Sequence, residues 1–115
     1  MHDVEDKVED EASIQGRVSI GENSVAKRGA TIRGPVIIGN KTIIEGGVYL
    51  GPFTSIGNTV TIKRREIENS IIMDHCTIDV EERIINSLIG PRSQITSNFN
   101  NRPRGRRFIF ERPHP

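Results

Sequence analysis

Three histidines, one cysteine and a short basic run are the residues of this 115-residue chain best suited to bind or react. His2 and His114 stand near the two ends, which leaves His75 as the interior imidazole. A zinc centre needs three or four converging ligands, so one interior histidine predicts no metal site. A general base needs an orienting partner and a substrate cleft. His75 has Asp74 and Asp79 close in sequence, which makes it a weak candidate base, and an exposed surface histidine is the plainer reading. Cys76 is expected to be an inert core thiol, since a buried cysteine behaves as a small hydrophobe. Lys63, Arg64 and Arg65 form the basic run. No glycine-rich loop leading into a helix accompanies it, so a solvated loop is preferred to a phosphate contact.

Composition narrows the classes further. The net charge of +1 gives no overall field that would select nucleic acid or membrane. Charge is nevertheless segregated, with Asp3, Glu5, Asp6, Glu9, Asp10 and Glu11 at the start and Arg102, Arg104, Arg106, Arg107 and Arg112 at the end. Both blocks are expected to be solvated tails, and no nucleic-acid motif accompanies the arginines. A single cysteine excludes an internal disulfide. No apolar run approaches the ~18 residues of a membrane span, and the acidic start lacks the basic and apolar regions of a signal peptide. A cytoplasmic protein with no nucleic-acid or membrane partner is the expectation. Only 34% of residues are hydrophobic and 4% aromatic, which is poor material for a thick globular core. Residue order, rather than composition, must therefore supply the fold.

That order is a period of six. Ile14, Ile20, Ala26, Ile32, Ile38, Ile44, Leu50, Ile56 and Ile62 recur at every sixth position. Two residues before each stands a small or β-branched residue: Ala12, Val18, Ser24, Ala30, Val36, Thr42, Val48, Thr54 and Val60. Gly21, Gly39, Gly51 and Gly57 follow the aliphatic position. At ~100° per residue a helix scatters such a series around its surface. A strand puts residues i and i−2 on one side, and glycine serves the turn that follows. The unit is a short strand and a turn, the hexapeptide repeat of solenoid proteins.

Three units make one triangular coil of 18 residues, so side chains 18 apart stack. The predicted core columns are Ile14, Ile32 and Leu50; Ile20, Ile38 and Ile56; and Ala26, Ile44 and Ile62. Each coil buries its aliphatics on the next, which builds a core without aromatics. Beyond Ile62 the register loosens to Ile67 and Ile72. It resumes at Ile78, Ile84, Ile89 and Ile95, with Cys76, Ser87 and Ser93 in the small slots. The fold predicted is all-β, a single-stranded parallel β-helix of about five coils. It is left-handed by likeness to known hexapeptide solenoids, since right-handed crossovers are otherwise the rule. Residues 1–11 are assigned to an acidic tail or linker, 12–95 to the β-helix, and 96–115 to a terminal cap and basic tail. In that last stretch Phe108, Ile109 and Phe110 are candidates to cover the open end.

Residues just before an inward aliphatic should point outward. Val25, Ile37, Ile43 and Tyr49 hold such places, and Phe53 stands three before Ile56. Ile37 and Phe53 share one face and Val25 and Ile43 the next. Paired apolar residues on neighbouring faces suggest a contact surface, and a homo-oligomer is expected, most simply a trimer.

Gly34-Pro35-Val36-Ile37-Ile38-Gly39-Asn40, Ile44-Glu45-Gly46-Gly47-Val48-Tyr49-Leu50-Gly51-Pro52-Phe53-Thr54-Ser55-Ile56-Gly57, Glu68-Asn69-Ser70-Ile71-Ile72-Met73-Asp74 and Ser87-Leu88-Ile89-Gly90 carry a resemblance. Over about residues 8 to 110 the chain resembles the C-terminal left-handed β-helix domain of long-form glucose-1-phosphate thymidylyltransferases, in the sugar nucleotidyltransferase family. The resemblance implies a parent whose preceding nucleotidyltransferase domain joins a nucleoside triphosphate to a sugar 1-phosphate with Mg²⁺. The glycine-rich start of that domain is absent here, so the chain looks like the C-terminal part alone. No catalytic residue carries over and no cofactor is expected. The expected role is assembly and scaffolding. Two alternatives remain: a hexapeptide acyltransferase acting on a sugar or amino sugar with acetyl-CoA through His75, and a free-standing scaffold.

Overall fold

Fifteen short strands wind into a parallel β-solenoid in a computed structural model that describes residues 8, 9 and 12–96. Each coil contributes one strand to each of three sheets, and each sheet holds five strands. The first sheet stacks β1 (Ser13–Gln15), β4 (Thr31–Arg33), β7 (Val48–Leu50), β10 (Arg65–Glu68) and β13 (Ile84–Ile85). The second stacks β2 (Val18–Ile20), β5 (Val36–Ile38), β8 (Thr54–Ile56), β11 (Ile71–Ile72) and β14 (Leu88–Ile89). The third stacks β3 (Val25–Ala26), β6 (Ile43–Ile44), β9 (Thr61–Ile62), β12 (Thr77–Asp79) and β15 (Gln94–Thr96). All pairings are parallel, and the described residues contain no helix.

Register follows the sequence period. Ile14 pairs with Ile32, Ile20 with Ile38, and Ala26 with Ile44, one coil of 18 residues apart. Ile20, Ile32, Ile38, Ile44, Leu50, Ile56 and Ile62 are all buried. Ile14, at the open edge of the first coil, is half-buried. Higher up, Ile67, Ile72, Ile78, Ile84, Ile89 and Ile95 continue the three columns. The core is thus a shaft of stacked aliphatic side chains. Each coil's inward residues lose water only because another coil lies against them.

Small inward side chains fill the corners and mend backbone hydrogen bonds. Between the second and third sheets the Ser24 hydroxyl donates to the Gly39 carbonyl (2.7 Å) and accepts the Thr42 amide (2.8 Å). Thr42 repeats this one coil up, donating to Gly57 O (2.8 Å) and accepting Val60 N–H (3.1 Å). Outside the same corner Asn40 Oδ1 accepts Glu22 N–H, Asn58 Oδ1 accepts Asn40 N–H, and Asp74 Oδ1 accepts Asn58 N–H, at 2.8–2.9 Å. Gly39 lets this ladder close. A Cβ there would collide with Asn58 Oδ1 and come within 2.8 Å of the Gly57 backbone.

Val8 and Glu9 also belong against the first coil. Val8 bridges to Ala26, Glu9 N–H donates to Ala26 O, and the Glu9 carboxylate accepts Arg28 N–H. His2, the other acidic residues before 12, His114, the arginines from 102 onward and Phe108–Phe110 lie outside the described residues.

Coils four and five are shorter. Leu50 pairs with Ile67, Ile56 with Ile72 and Ile62 with Ile78, so the rise into the fourth coil takes 16 or 17 residues instead of 18. The corner from first to second sheet takes six residues in the lower coils (Leu50 to Ile56) and five in the upper ones (Ile67 to Ile72, Ile84 to Ile89). Arg65 stands where a small inward residue is due and turns outward at φ +79°. In the next coil Val80 is buried at the same corner.

Candidate functional site

Three outer faces are available on a triangular solenoid, and the outward columns on them differ in chemistry. On the third sheet the outward column is Val25, Ile43, Thr61 and Thr77, all half-buried, with Gln94 exposed at its top. Its edge carries the ion pair of Lys27 with Glu45 (3.6 Å). The first sheet presents Ser13, Thr31, Tyr49, Glu66 and Arg83. Tyr49 is half-buried there, and Glu66 pairs with Arg83 at 3.1 Å. The second sheet presents Ser19, Ile37, Ser55, Ile71 and Leu88, with no charge in the column. Ile37 is 60% exposed, Ile71 49% and Leu88 45%. Phe53 and Met73 stand beside this column, exposed at 68% and 42%. Every large exposed hydrophobic side chain among the described residues therefore belongs to one face. Gathered apolar exposure of this kind marks a contact surface, whereas single exposed aliphatics do not.

The shortened corner shapes this face. Phe53 occupies the corner in the third coil, and Asn69 and Asn86 occupy it in the fourth and fifth. Removing one residue from the upper two turns pulls them inward and leaves a recess above Phe53. That recess is a shallow groove of about 380 Å³ lined by Phe53, Asn69, Ile71, Asn86, Ser87 and Leu88. Asn69 Nδ2 donates to Asn86 Oδ1 at 2.6 Å, which stacks the two amides. All three corner residues have positive φ: Phe53 +62°, Asn69 +49° and Asn86 +51°. Asparagine tolerates this region, but a bulky aromatic there is an outlier. Beneath, Thr54 Oγ1 is buried with no hydrogen-bond partner. Ser70 and Ser87, one and two coils up, instead turn their hydroxyls back to Glu68 O and Ile85 O. Thr54 thus sits at the seam between long and short coils.

The chemical candidates are scattered. His75 is exposed at the corner between second and third sheets, at φ +62°, with its amide donated to Asn58 O (2.9 Å). Asp74 Oδ1 is engaged by Asn58 N–H, and Asp79 by Arg64 at 2.8 Å. His75 does not line the groove above Phe53. Cys76 is buried, its Sγ 3.1 Å from Gly90 O, and desolvation pushes its thiol pKa up, so the reactive thiolate is suppressed. Arg64 of the basic run is balanced by Asp79 and by Glu81 (3.1 Å), and the Asp79 hydrogen bond raises its pKa. No group of three or more His, Cys, Asp or Glu converges among the described residues. No helix there is long and apolar enough to cross a membrane.

A parallel solenoid carrying one bare apolar face is a form shared by many domains, and comparison with known sequences places this one. The model of the GMPPB C-terminal domain matches residues 32–101, more than half of the chain. The chain belongs to the GMPPB C-terminal domain family. The match runs from β4 past β15, so it covers most of the described solenoid, including the shortened corner and the groove. Among similar proteins, a low-salt glycan biosynthesis nucleotidyltransferase, Agl11, from Haloferax volcanii is 44% identical over 102 residues, or 89% of this chain. A glucose-1-phosphate thymidylyltransferase from Streptomyces antibioticus is 36% identical over 107 residues, or 93% of it. The chain spans only 29% of the length of each relative. For this GMPPB C-terminal domain, the outward residues expected at Ile37 and Phe53 lie on the apolar face, and those at Val25, Ile43 and Tyr49 lie on the two other sheets. Ile71, Met73 and Leu88 are additions that the period of six did not single out. Ile71 and Leu88 nonetheless obey its rule, each directly preceding an inward isoleucine.

Proposed function

We propose that this domain is the C-terminal assembly element of a sugar-1-phosphate nucleotidyltransferase of the glucose-1-phosphate thymidylyltransferase kind, acting in the cytoplasm. It holds copies of the parent chain together through the second sheet. Nucleotidyl transfer, and the Mg²⁺ that supports it, belong to the parent's catalytic domain, and this domain needs no cofactor. Its partners are further copies of itself and that catalytic domain. The observation carrying the reading is the uncharged column of Ile37, Ile71 and Leu88 on one sheet of three, while the first sheet carries an ion pair in its column and the third carries one at its edge. The relatives' names supply the parent activity.

Sedimentation equilibrium of the chain at micromolar concentration is expected to show a homo-oligomer. A monomer at all concentrations would contradict the assembly role. The chain alone is expected to form no nucleotide-sugar from a nucleoside triphosphate and a sugar 1-phosphate, and turnover by it would overturn the division of labour.

A further inference from the structure

The knob and the recess on the second sheet lie at one edge but at different heights. Phe53 stands at the third coil, and the groove above it is floored by Ile71 of the fourth coil and Leu88 of the fifth. A second copy turned upside down about an axis running along the strands keeps the edge and reverses the heights. Placed near the fourth coil, such an axis brings each Phe53 opposite the other copy's groove. Parallel copies, whether around a two-fold or a three-fold axis, keep the heights and cannot do this. The face carries no charge in its column, so it meets its own copy without like-charge repulsion. Phe53 is also held at φ +62° with 68% of its surface exposed, which a monomer gains nothing from.

We propose that this face makes an antiparallel two-fold contact between copies of the chain, with each Phe53 ring seated in the partner copy's groove above Phe53. Five strands at ~4.8 Å span only about 20 Å, a patch smaller than the ~800 Å² per partner of a standard stable interface. The two inserted rings then carry a large share of the affinity, as buried aromatic anchors do. This rests on the assembly reading and goes beyond it by fixing the symmetry and the anchor.

Phe53→Asn tests it without threatening the fold, because asparagine already occupies this corner at positive φ at positions 69 and 86. The variant is expected to melt no lower than the wild type as a monomer and to associate at least ten-fold more weakly by sedimentation. Orientation is read separately in a Cys76→Ser background with a short bis-maleimide. Ile71→Cys, near the axis, is expected to cross-link rapidly, and Ser19→Cys, whose copies lie roughly 25 Å or more apart, is expected not to. Unchanged association of Phe53→Asn, or equal cross-linking of the two cysteine variants, overturns the two-fold contact while leaving assembly standing. A wild type that never associates overturns both.

Discussion

The lower three coils and the upper two are built from one plan, yet they differ in how strictly they follow it. In the lower coils each column steps by 18 residues, and inward hydroxyls at Ser24 and Thr42 both donate and accept between coils. In the upper coils turns lose residues, Arg65 swings outward, Val80 fills the corner instead, and the Ser70 hydroxyl accepts Ser87 N–H from the next coil but, like that of Ser87, donates only to a carbonyl two residues back. The regular half shows what a solenoid needs to stand. The irregular half shows what is exchanged when a corner is reshaped. A hydrogen-bond partner is lost at the seam, where Thr54 Oγ1 is stranded, and a recess opens on the apolar face. Three of the five large exposed hydrophobics, Ile71, Met73 and Leu88, belong to that half.

Paired substitutions sharpen this contrast. Ile44 in the second coil is packed from both sides, whereas Ile95 lies in the last described strand of the same sheet. Ile44→Ala is expected to cost about 4–5 kcal/mol in denaturant titrations and Ile95→Ala about 2 kcal/mol, the two ends of the range for such cavities. Equal costs would mean that Ile95 is packed as fully as Ile44. Next in size, Thr42→Val orphans the Val60 amide and the Gly57 carbonyl, and is expected to lower stability by about 1–3 kcal/mol. The same change at Thr54 removes an already unpaired hydroxyl and should leave stability unchanged or raise it by up to about 1 kcal/mol. Finding the same sign at both positions would refute the seam. The smallest effect concerns Cys76, whose raised thiol pKa means that the folded state holds its proton more tightly than the unfolded chain. That contribution is fully present below the unfolded thiol value of about 8.5 and is lost as pH rises through the folded value. Cys76→Ser is expected to flatten the alkaline decline in melting temperature. Ready alkylation of native Cys76 near pH 8 would contradict its burial.

The regular half was legible in the sequence because one residue type recurs at one spacing, and a strand period of two converts that spacing directly into an inside and an outside. Ile32, Ile38, Ile44, Leu50, Ile56 and Ile62 are inward for that reason. Handedness was not in the spacing and came only by likeness to known hexapeptide solenoids. The upper half was harder, since five-residue steps break the count that the eye follows. Val80 has no equivalent in the lower coils, and Met73 occupies the place held by Gly21, Gly39 and Gly57 below. Of the candidate site, Ile37 and Phe53 were found by the outward rule, and Ile71 and Leu88 could have been found by it. The groove and the stranded Thr54 hydroxyl could not, because they depend on how adjacent turns of unequal length lie against each other and on no single residue type.

Sedimentation equilibrium of two double variants tests the central claim most directly. Ile71→Ser with Leu88→Ser alters the second sheet in the irregular half, and Val25→Thr with Ile43→Thr alters the third sheet in the regular half. Both pairs point outward, so both proteins are expected to fold with native circular dichroism. Dissociation to monomer in the first and wild-type assembly in the second is the predicted result. Assembly retained by the first, or lost by the second, would contradict the assignment of the second sheet as the surface through which this domain works.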